Sequence, residues 1–298
     1  MPDAALRMPL ADDGTAWAAL VEVLREQSGL DLNLYKDKCI VRRVAVRQRA
    51  RGAPDLAAYV ALLCQDPAEL PRLLDALTIN VTQFLRNPPT FRALQESVLP
   101  ALCRARAEAG RRTLRVWSAG CATGEEAYTV AILLHEVWRA EGLRQSAVIY
   151  ATDIDRRSLE VAKAGRYMAR QLSGLAPETR ARYFEEEEGS RARVVASIRR
   201  MVFVKRHDLR TPPPFRRLDL ILSRNVLIYL TPEHQQRLLR AFAGVLNPGG
   251  ILVLGKVEGL SGRAREDFES VDVAERIYRR GGGSPNGAGS ARREGVQD

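Results

Sequence analysis

A chain of 298 residues, 46% apolar and 28% charged, is long enough to bury two ordinary domains without disulfides or metals, which excludes a largely disordered chain. Its formal charge of +10 favours acidic partners, namely nucleic acid, an anionic membrane face or an acidic protein surface, although heavy arginine and alanine use is also what genomic base composition alone produces. Charges interrupt every apolar stretch near membrane length, and the first residues lack the basic and apolar regions of a signal peptide, so a cytoplasmic, reduced protein without membrane insertion is expected.

Residues 1–15 and 281–298 read as flexible tails, the second rich in Gly and Ser. Between about 16 and 88 the pattern is helical throughout. Trp17, Leu20, Val21 and Leu24 form an i, i+3, i+4, i+7 stripe that Ser28-Gly29 ends, and a basic helix over 36–51 carries Ile40, Val41 and Val44. Pro54-Asp55 restarts a helix through Leu63, and another runs from Pro67 to about Leu77. After Pro88-Pro89 a long helix, about Thr90 to Ala109, leads into alternation. Strands are predicted at 114–117, 147–151, 201–204, 218–222 and 251–254, and helices at 124–140, 156–164 and 232–246. A final antiparallel pair is expected at 268–271 and 274–278, around Asp272. Strand-helix alternation predicts a mainly parallel, Rossmann-like sheet over 89–280, covered on both faces, that binds ligand at the carboxyl ends of its strands. Residues 166–200 break the alternation and read as a small inserted subdomain.

The strongest local signal is Val116-Trp-Ser-Ala-Gly-Cys-Ala-Thr-Gly-Glu-Glu126, a buried strand entering a small-residue turn and then a helix. Gly120 and Gly124 either let backbone approach a ligand or serve tight strand-to-helix packing. The turn has no P-loop lysine and two acids open its helix, so phosphate is disfavoured there and a cationic ligand is favoured. Asp153, directly after the second strand, suits the two hydroxyls of a ribose, whereas Asp155 is placed to cap the following helix. A nucleoside cofactor without pyrophosphate fits both features, and S-adenosylmethionine is such a molecule.

Four segments together resemble the CheR family of chemotaxis receptor methyltransferases: Asn80-Val-Thr-Gln-Phe-Leu-Arg86, the turn ending Gly124-Glu-Glu126, Ala151-Thr-Asp-Ile-Asp155, and Ser223-Arg-Asn-Val-Leu-Ile-Tyr229. The resemblance covers about residues 16 to 280. It implies a small all-helical N-terminal domain before a class I methyltransferase domain, and methyl transfer from S-adenosylmethionine to receptor glutamates. It also implies cofactor contacts at Asn80, Thr82, Arg86, Glu126, Asp153, Asp208, Leu209, Arg224 and Asn225, with Arg86 and Tyr229 as catalytic candidates. The chain departs from the family pattern at Leu85, where a second phenylalanine is usual, and at Asp208, where asparagine is common. Leu254-Gly-Lys-Val-Glu258 replaces a G-H-S-E-like ending, and the inserted segment has no clear match to the glycine-containing hairpin that grips a receptor tail in some members.

The helix Lys36–Arg51 is either a solvated basic face or, as the family implies, the receptor-docking face, with Lys38, Arg42 and Arg49 on one side. Cys39, Cys64, Cys103 and Cys121 are scattered without a C-x-x-C pair, so neither a zinc site nor a disulfide framework is expected, and His135, His207 and His234 read as structural or exposed. A monomer that binds no nucleic acid is expected. Two alternatives stay open: a methyltransferase acting on nucleic acid or a small molecule, and a cofactor-binding signalling module without turnover.

Overall fold

The computed structural model describes residues 13–28, 32, 37–77 and 82–281. Both expected tails lie largely outside these residues, as do Asn80, Lys36 and the side chain of Lys38.

Four helices come first: α1 (Asp13–Ser28), α2 (Asp37–Ala50), α3 (Leu56–Gln65) and α4 (Glu69–Leu77). The Asp55 side chain caps α3 by accepting from the Ala58 N–H at 2.7 Å. Leu20, Leu24, Ile40, Val44, Tyr59, Leu63 and Leu73 close a separate apolar core among these helices. Within it the fully buried Glu69 accepts two hydrogen bonds from Arg47 (2.6 and 2.7 Å) and one from the Tyr59 hydroxyl (2.9 Å). A buried carboxylate is tolerated only with such partners.

The long helix expected from Thr90 begins two residues earlier and is not uniform. Helix α5 (Pro88–Ala93), a π-turn (Leu94–Val98) and α6 (Leu99–Glu108) follow one another. The two prolines open α5 rather than precede it, because the first helical amides need no intrahelical acceptor. The alternating region then gives β1 (Thr113–Ala119), α7 (Glu125–Glu141), β2 (Ser146–Asp153) and α8 (Arg156–Ala164). An inserted three-stranded antiparallel sheet, in the order β3-β5-β4, is built from β3 (Arg166–Met168), β4 (Phe184–Glu187) and β5 (Arg191–Val194), with α9 (Pro177–Tyr183) before β4. Its hairpin turns at Gly189 and Ser190, both with positive φ. The chain returns through α10 (Ala196–Arg199) to β6 (Val202–Arg206), β7 (Leu218–Ser223), α11 (Pro232–Val245), β8 (Leu246–Leu254), α12 (Ala264–Asp267), β9 (Phe268–Asp272) and β10 (Ile277–Arg280).

The main sheet has the order β6-β2-β1-β7-β8-β10-β9. Neighbours from β6 to β8 are parallel, and β10 is antiparallel to both β8 and β9. The last strand therefore begins at Ile277 rather than at the expected Ala274, and it inserts between β8 and its own hairpin partner. Asp272 accepts the Glu275 amide (2.9 Å) in the intervening turn, which occupies the missing residues. One face of the sheet packs on α5, α6, α7 and the inserted sheet. The other packs on α11 around Trp117, whose ring meets Phe215 and Phe242 edge-on and whose indole N–H donates to Thr152 at 2.9 Å. The fold class is thus a Rossmann-like parallel sheet with a small inserted subdomain, preceded by an all-helical region. Because β2 and β7 flank β1 on opposite sides, the strand order reverses at β1, and the cleft of an open parallel sheet lies over such a point.

Candidate active site

A cleft lies over the carboxyl ends of β1, β2, β6 and β7. It is lined by every described residue of the sequence-derived site: Thr82, Arg86, Glu126, Asp153, Asp208, Leu209, Arg224, Asn225 and Tyr229. Asn80 is the one candidate outside the described residues.

The first turn is held by its neighbour strand. The amides of Gly120 and Cys121 both donate to the Thr152 carbonyl (2.8 and 2.9 Å), and the Ala122 amide donates to the Asp153 carboxylate at 2.8 Å. Both glycines have positive φ and both meet protein: a Cβ on Gly120 would lie 2.4 Å from Val226 Cγ2, and one on Gly124 would lie 2.8 Å from Ala162 Cβ. Close packing of chain segments thus accounts for both positions, and Gly120 also lines the cleft. Of the two acids that open α7, Glu125 turns to Thr123 and to Gln171 of the inserted region. Glu126 faces the cleft, accepting from Ser118 Oγ (2.8 Å) and pairing with Arg224 (3.4 Å). Burial raises the Glu126 carboxyl above the usual range, and the Arg224 charge opposes that shift.

Asp153 ends β2. Its carboxylate accepts from the amides of Ala122 (2.8 Å) and Asp155 (3.0 Å), while burial pushes its pKa up against those bonds. Asp155 caps α8 through the amides of Arg157 and Ser158. The two aspartates, two residues apart, therefore do different jobs. After β6, Asp208 is clasped by Arg210 (2.7 and 2.8 Å from Nε). Burial favours its neutral form, but these bonds outweigh burial and hold the carboxyl below the usual range.

Arg224 follows β7 and is almost fully buried. It donates to the Arg86 carbonyl at 2.6 Å, and its Cζ lies 4.8 Å from the centre of the Phe91 ring. Its side chain thus ties the linker to the strand end. The linker itself is anchored by Phe84, buried edge-on against Tyr167 (5.0 Å) and Phe184 (5.3 Å) of the inserted sheet. Leu85 and Asn87 have positive φ on either side of Arg86. Tyr229 closes a 3-10 turn (Leu227–Tyr229) at the same edge.

Sequence reasoning missed Arg43 and His207. Arg43, on α2, donates to the Leu77 carbonyl at 2.5 Å and stands 5.7 Å over the Tyr229 ring. The signal was present in its i+3 spacing from Ile40, which puts it beside the buried stripe rather than on the outer face. His207 lines the cleft next to Trp117, and burial lowers its pKa.

These groups fit S-adenosylmethionine. The cleft offers half-buried carboxylates for hydroxyls and cationic groups, and the buried His207 Nε2 of its lining has no hydrogen-bond partner among the described residues. The sheet order and this cleft are those expected of an S-adenosylmethionine-dependent methyltransferase, the class to which the comparisons below assign the chain.

Comparison with known proteins narrows the class. A model described as the CheR methyltransferase, SAM binding domain matches residues 80–277, and one described as the CheR methyltransferase, all-alpha domain matches residues 15–78. A chemotaxis protein methyltransferase of Listeria monocytogenes is 35% identical over 236 residues, 79% of this chain and 87% of that one. A chemotaxis protein methyltransferase of Klebsiella aerogenes is 34% identical over 275 residues, 89% of each chain. A 104.1 kDa protein of Rhodobacter capsulatus is 38% identical over 263 residues, 88% of this chain but 27% of that longer protein. The chain belongs to the CheR methyltransferase family. No helix among the described residues is long and apolar enough to cross a membrane.

Proposed function

We propose that this chain esterifies glutamate side chains of chemotaxis receptors. The observation that carries the reading is that one cleft joins a carboxylate side, Glu126 and Asp153, to a side bearing Arg86, Arg43 and Tyr229. In this reading Asp153 takes the ribose hydroxyls and Glu126 the amino acid ammonium. Thr82, Asp208, Leu209, Arg224 and Asn225 complete the cofactor enclosure, Arg224 through its main chain because its guanidinium is engaged by the linker and Glu126.

Bound S-adenosylmethionine supplies an activated methyl group on a sulfonium. The acceptor carboxylate is ionised near neutral pH, so no residue has to remove a proton. The work left to the protein is alignment and exclusion of water. Arg86 suits the acceptor carboxylate through its forked donors, Tyr229 offers one hydroxyl, and Arg43 adds positive charge above that ring.

The docking face follows from the two sides of α2. Arg43 and Arg47 turn inward to the Leu77 carbonyl and Glu69, and Arg51, just past the helix end, reaches Asp66. Arg42, Val46 and Arg49 are exposed on the outer side, and we assign the acidic receptor helix to that stripe. The working unit in this reading is residues 16–280, a cytoplasmic monomer, with the helical part to 88 presenting the receptor.

The test is incubation with methyl-labelled S-adenosylmethionine and membranes bearing receptors of the same cell. Label on a receptor band, released by mild alkali as methanol, is the expected result. Alkali-stable label would overturn glutamate esterification in favour of N- or C-methylation.

A further inference from the structure

The loop carrying Asn225 and Tyr229 has an acidic anchor. Glu258 is 5% exposed and lies in the Leu254-Gly-Lys-Val-Glu258 stretch that follows β8, far from that loop in sequence. Its Oε2 accepts from the amides of Gly255 (2.6 Å) and Asn225 (2.9 Å), and its Oε1 accepts from the Ile228 amide (3.2 Å). The two loop amides bracket the start of the Leu227–Tyr229 turn, where a helical turn leaves donors without partners. A carboxylate from another segment thus does for this turn what an N-cap side chain does locally.

Three further observations make the arrangement tight. Asn225 sits at φ +60, a left-handed conformation that asparagine adopts more readily than other non-glycine residues and that suits a tight turn. A Cβ on Gly255 would lie 2.6 Å from Glu258 Oε2 and 2.9 Å from the Asn225 nitrogen, so no side chain fits between anchor and loop. The far end of the loop is tied by Gln235, whose amide donates to the carbonyls of Leu227 (2.8 Å) and Leu230 (3.0 Å).

We infer that Glu258 is a positioning residue for methyl transfer: its carboxylate fixes the loop backbone so that Asn225 meets the cofactor and Tyr229 meets the acceptor. This rests on the roles proposed for those two residues. The two oxygens of the Glu258 side chain accept from all three amides. Glutamine keeps the shape but presents an NH2 where one oxygen stood, which sets donor against donor.

The test compares wild type, Glu258→Gln, Glu258→Asp and Tyr229→Phe, with the exposed Val257→Ala as control. For the cofactor-saturated enzyme, hydrogen exchange at the Asn225 and Ile228 amides should speed by about tenfold or more in Glu258→Gln, with the melting temperature lowered by a few degrees. S-adenosylmethionine affinity by calorimetry should fall severalfold, and kcat about tenfold with the acceptor KM nearly unchanged. Glu258→Asp should recover part of each loss, and Val257→Ala should match wild type. In a double-mutant cycle the kcat loss of Glu258→Gln should shrink in the Tyr229→Phe background, because the anchor acts through that side chain. Unchanged loop exchange and affinity in Glu258→Gln, or a kcat loss fully additive with Tyr229→Phe, would overturn the inference. Exchange and cofactor affinity need no acceptor, so they decide the anchor's role even if the receptor ester assay fails.

Discussion

The two sides of the cleft are built differently. The carboxylate side comes from residues that follow strands or open a helix, Asp153 after β2 and Glu126 at the start of α7. Each is fixed by bonds to β1 or the turn that follows it, Asp153 by the Ala122 amide and Glu126 by Ser118. The cationic side is assembled from segments distant in sequence: α2 supplies Arg43, the linker Arg86, and the β7 loop Arg224 and Tyr229. Its bonds run from side chain to a remote backbone carbonyl, Arg43 to Leu77 and Arg224 to Arg86. A strand end is rigid because the sheet already holds it. The opposite side is rigid only while the helical region and the linker stay docked.

That contrast predicts where substitutions act. The largest effect is expected from Glu69→Gln, which breaks the buried pair that holds Arg47 and Tyr59 around α2. It should destabilise the helical region by about 3 kcal/mol, read by denaturant unfolding. The same site sets an acid dependence. Burial alone would raise the Glu69 pKa, but Arg47 and Tyr59 outweigh it and hold the folded value below 4.5. A depressed carboxyl contributes stability above its unfolded value, and that contribution is lost as pH falls through and below 4.5. Wild type should therefore lose stability over that range, and Glu69→Gln should show a flatter profile.

Asp153→Ala removes the centre of the carboxylate side. S-adenosylmethionine affinity should fall about 50-fold by calorimetry, the loss expected when hydrogen bonds to a charged acceptor disappear. An unchanged affinity would remove Asp153 from the ribose site. Tyr229→Phe changes only the opposite side, so kcat with receptor should fall about tenfold while cofactor affinity stays within twofold. Full turnover in that variant would exclude the hydroxyl from the reaction. The smallest effect belongs to the exposed stripe of α2. Arg42→Glu with Arg49→Glu should raise the receptor KM severalfold at low ionic strength, and the difference should narrow as salt is added, with kcat unchanged.

Much of this architecture is legible in the sequence. The strand-turn-helix around Gly120, the acid ending β2 and the helical opening each follow from a local period or a local breaker. Local readings also reached their limit at identifiable places. Pro88-Pro89 marked a boundary but opened a helix, because proline suits a first turn as well as a break. The final strand begins three residues later than expected, because Ala274, Glu275 and Arg276 belong to the turn that Asp272 closes on the Glu275 amide. Arg43 read as one more charge on a basic helix although its spacing from Ile40 sets it beside the buried stripe, and its bond to Leu77 and its place over the Tyr229 ring set it apart from the exposed Arg42.

The sequence alone determined the alternation that makes the sheet, the acids at its strand ends and the kinship those motifs carry, since each depends on residues within a few positions of one another. The tertiary structure decided the insertion of β10 between β8 and β9, the inward and outward division of the α2 arginines, and the anchoring of the Asn225–Tyr229 loop by Glu258. Those outcomes depend on which distant backbone amide or carbonyl a buried charge reaches. Buried charges must find such partners somewhere, but the sequence does not say where.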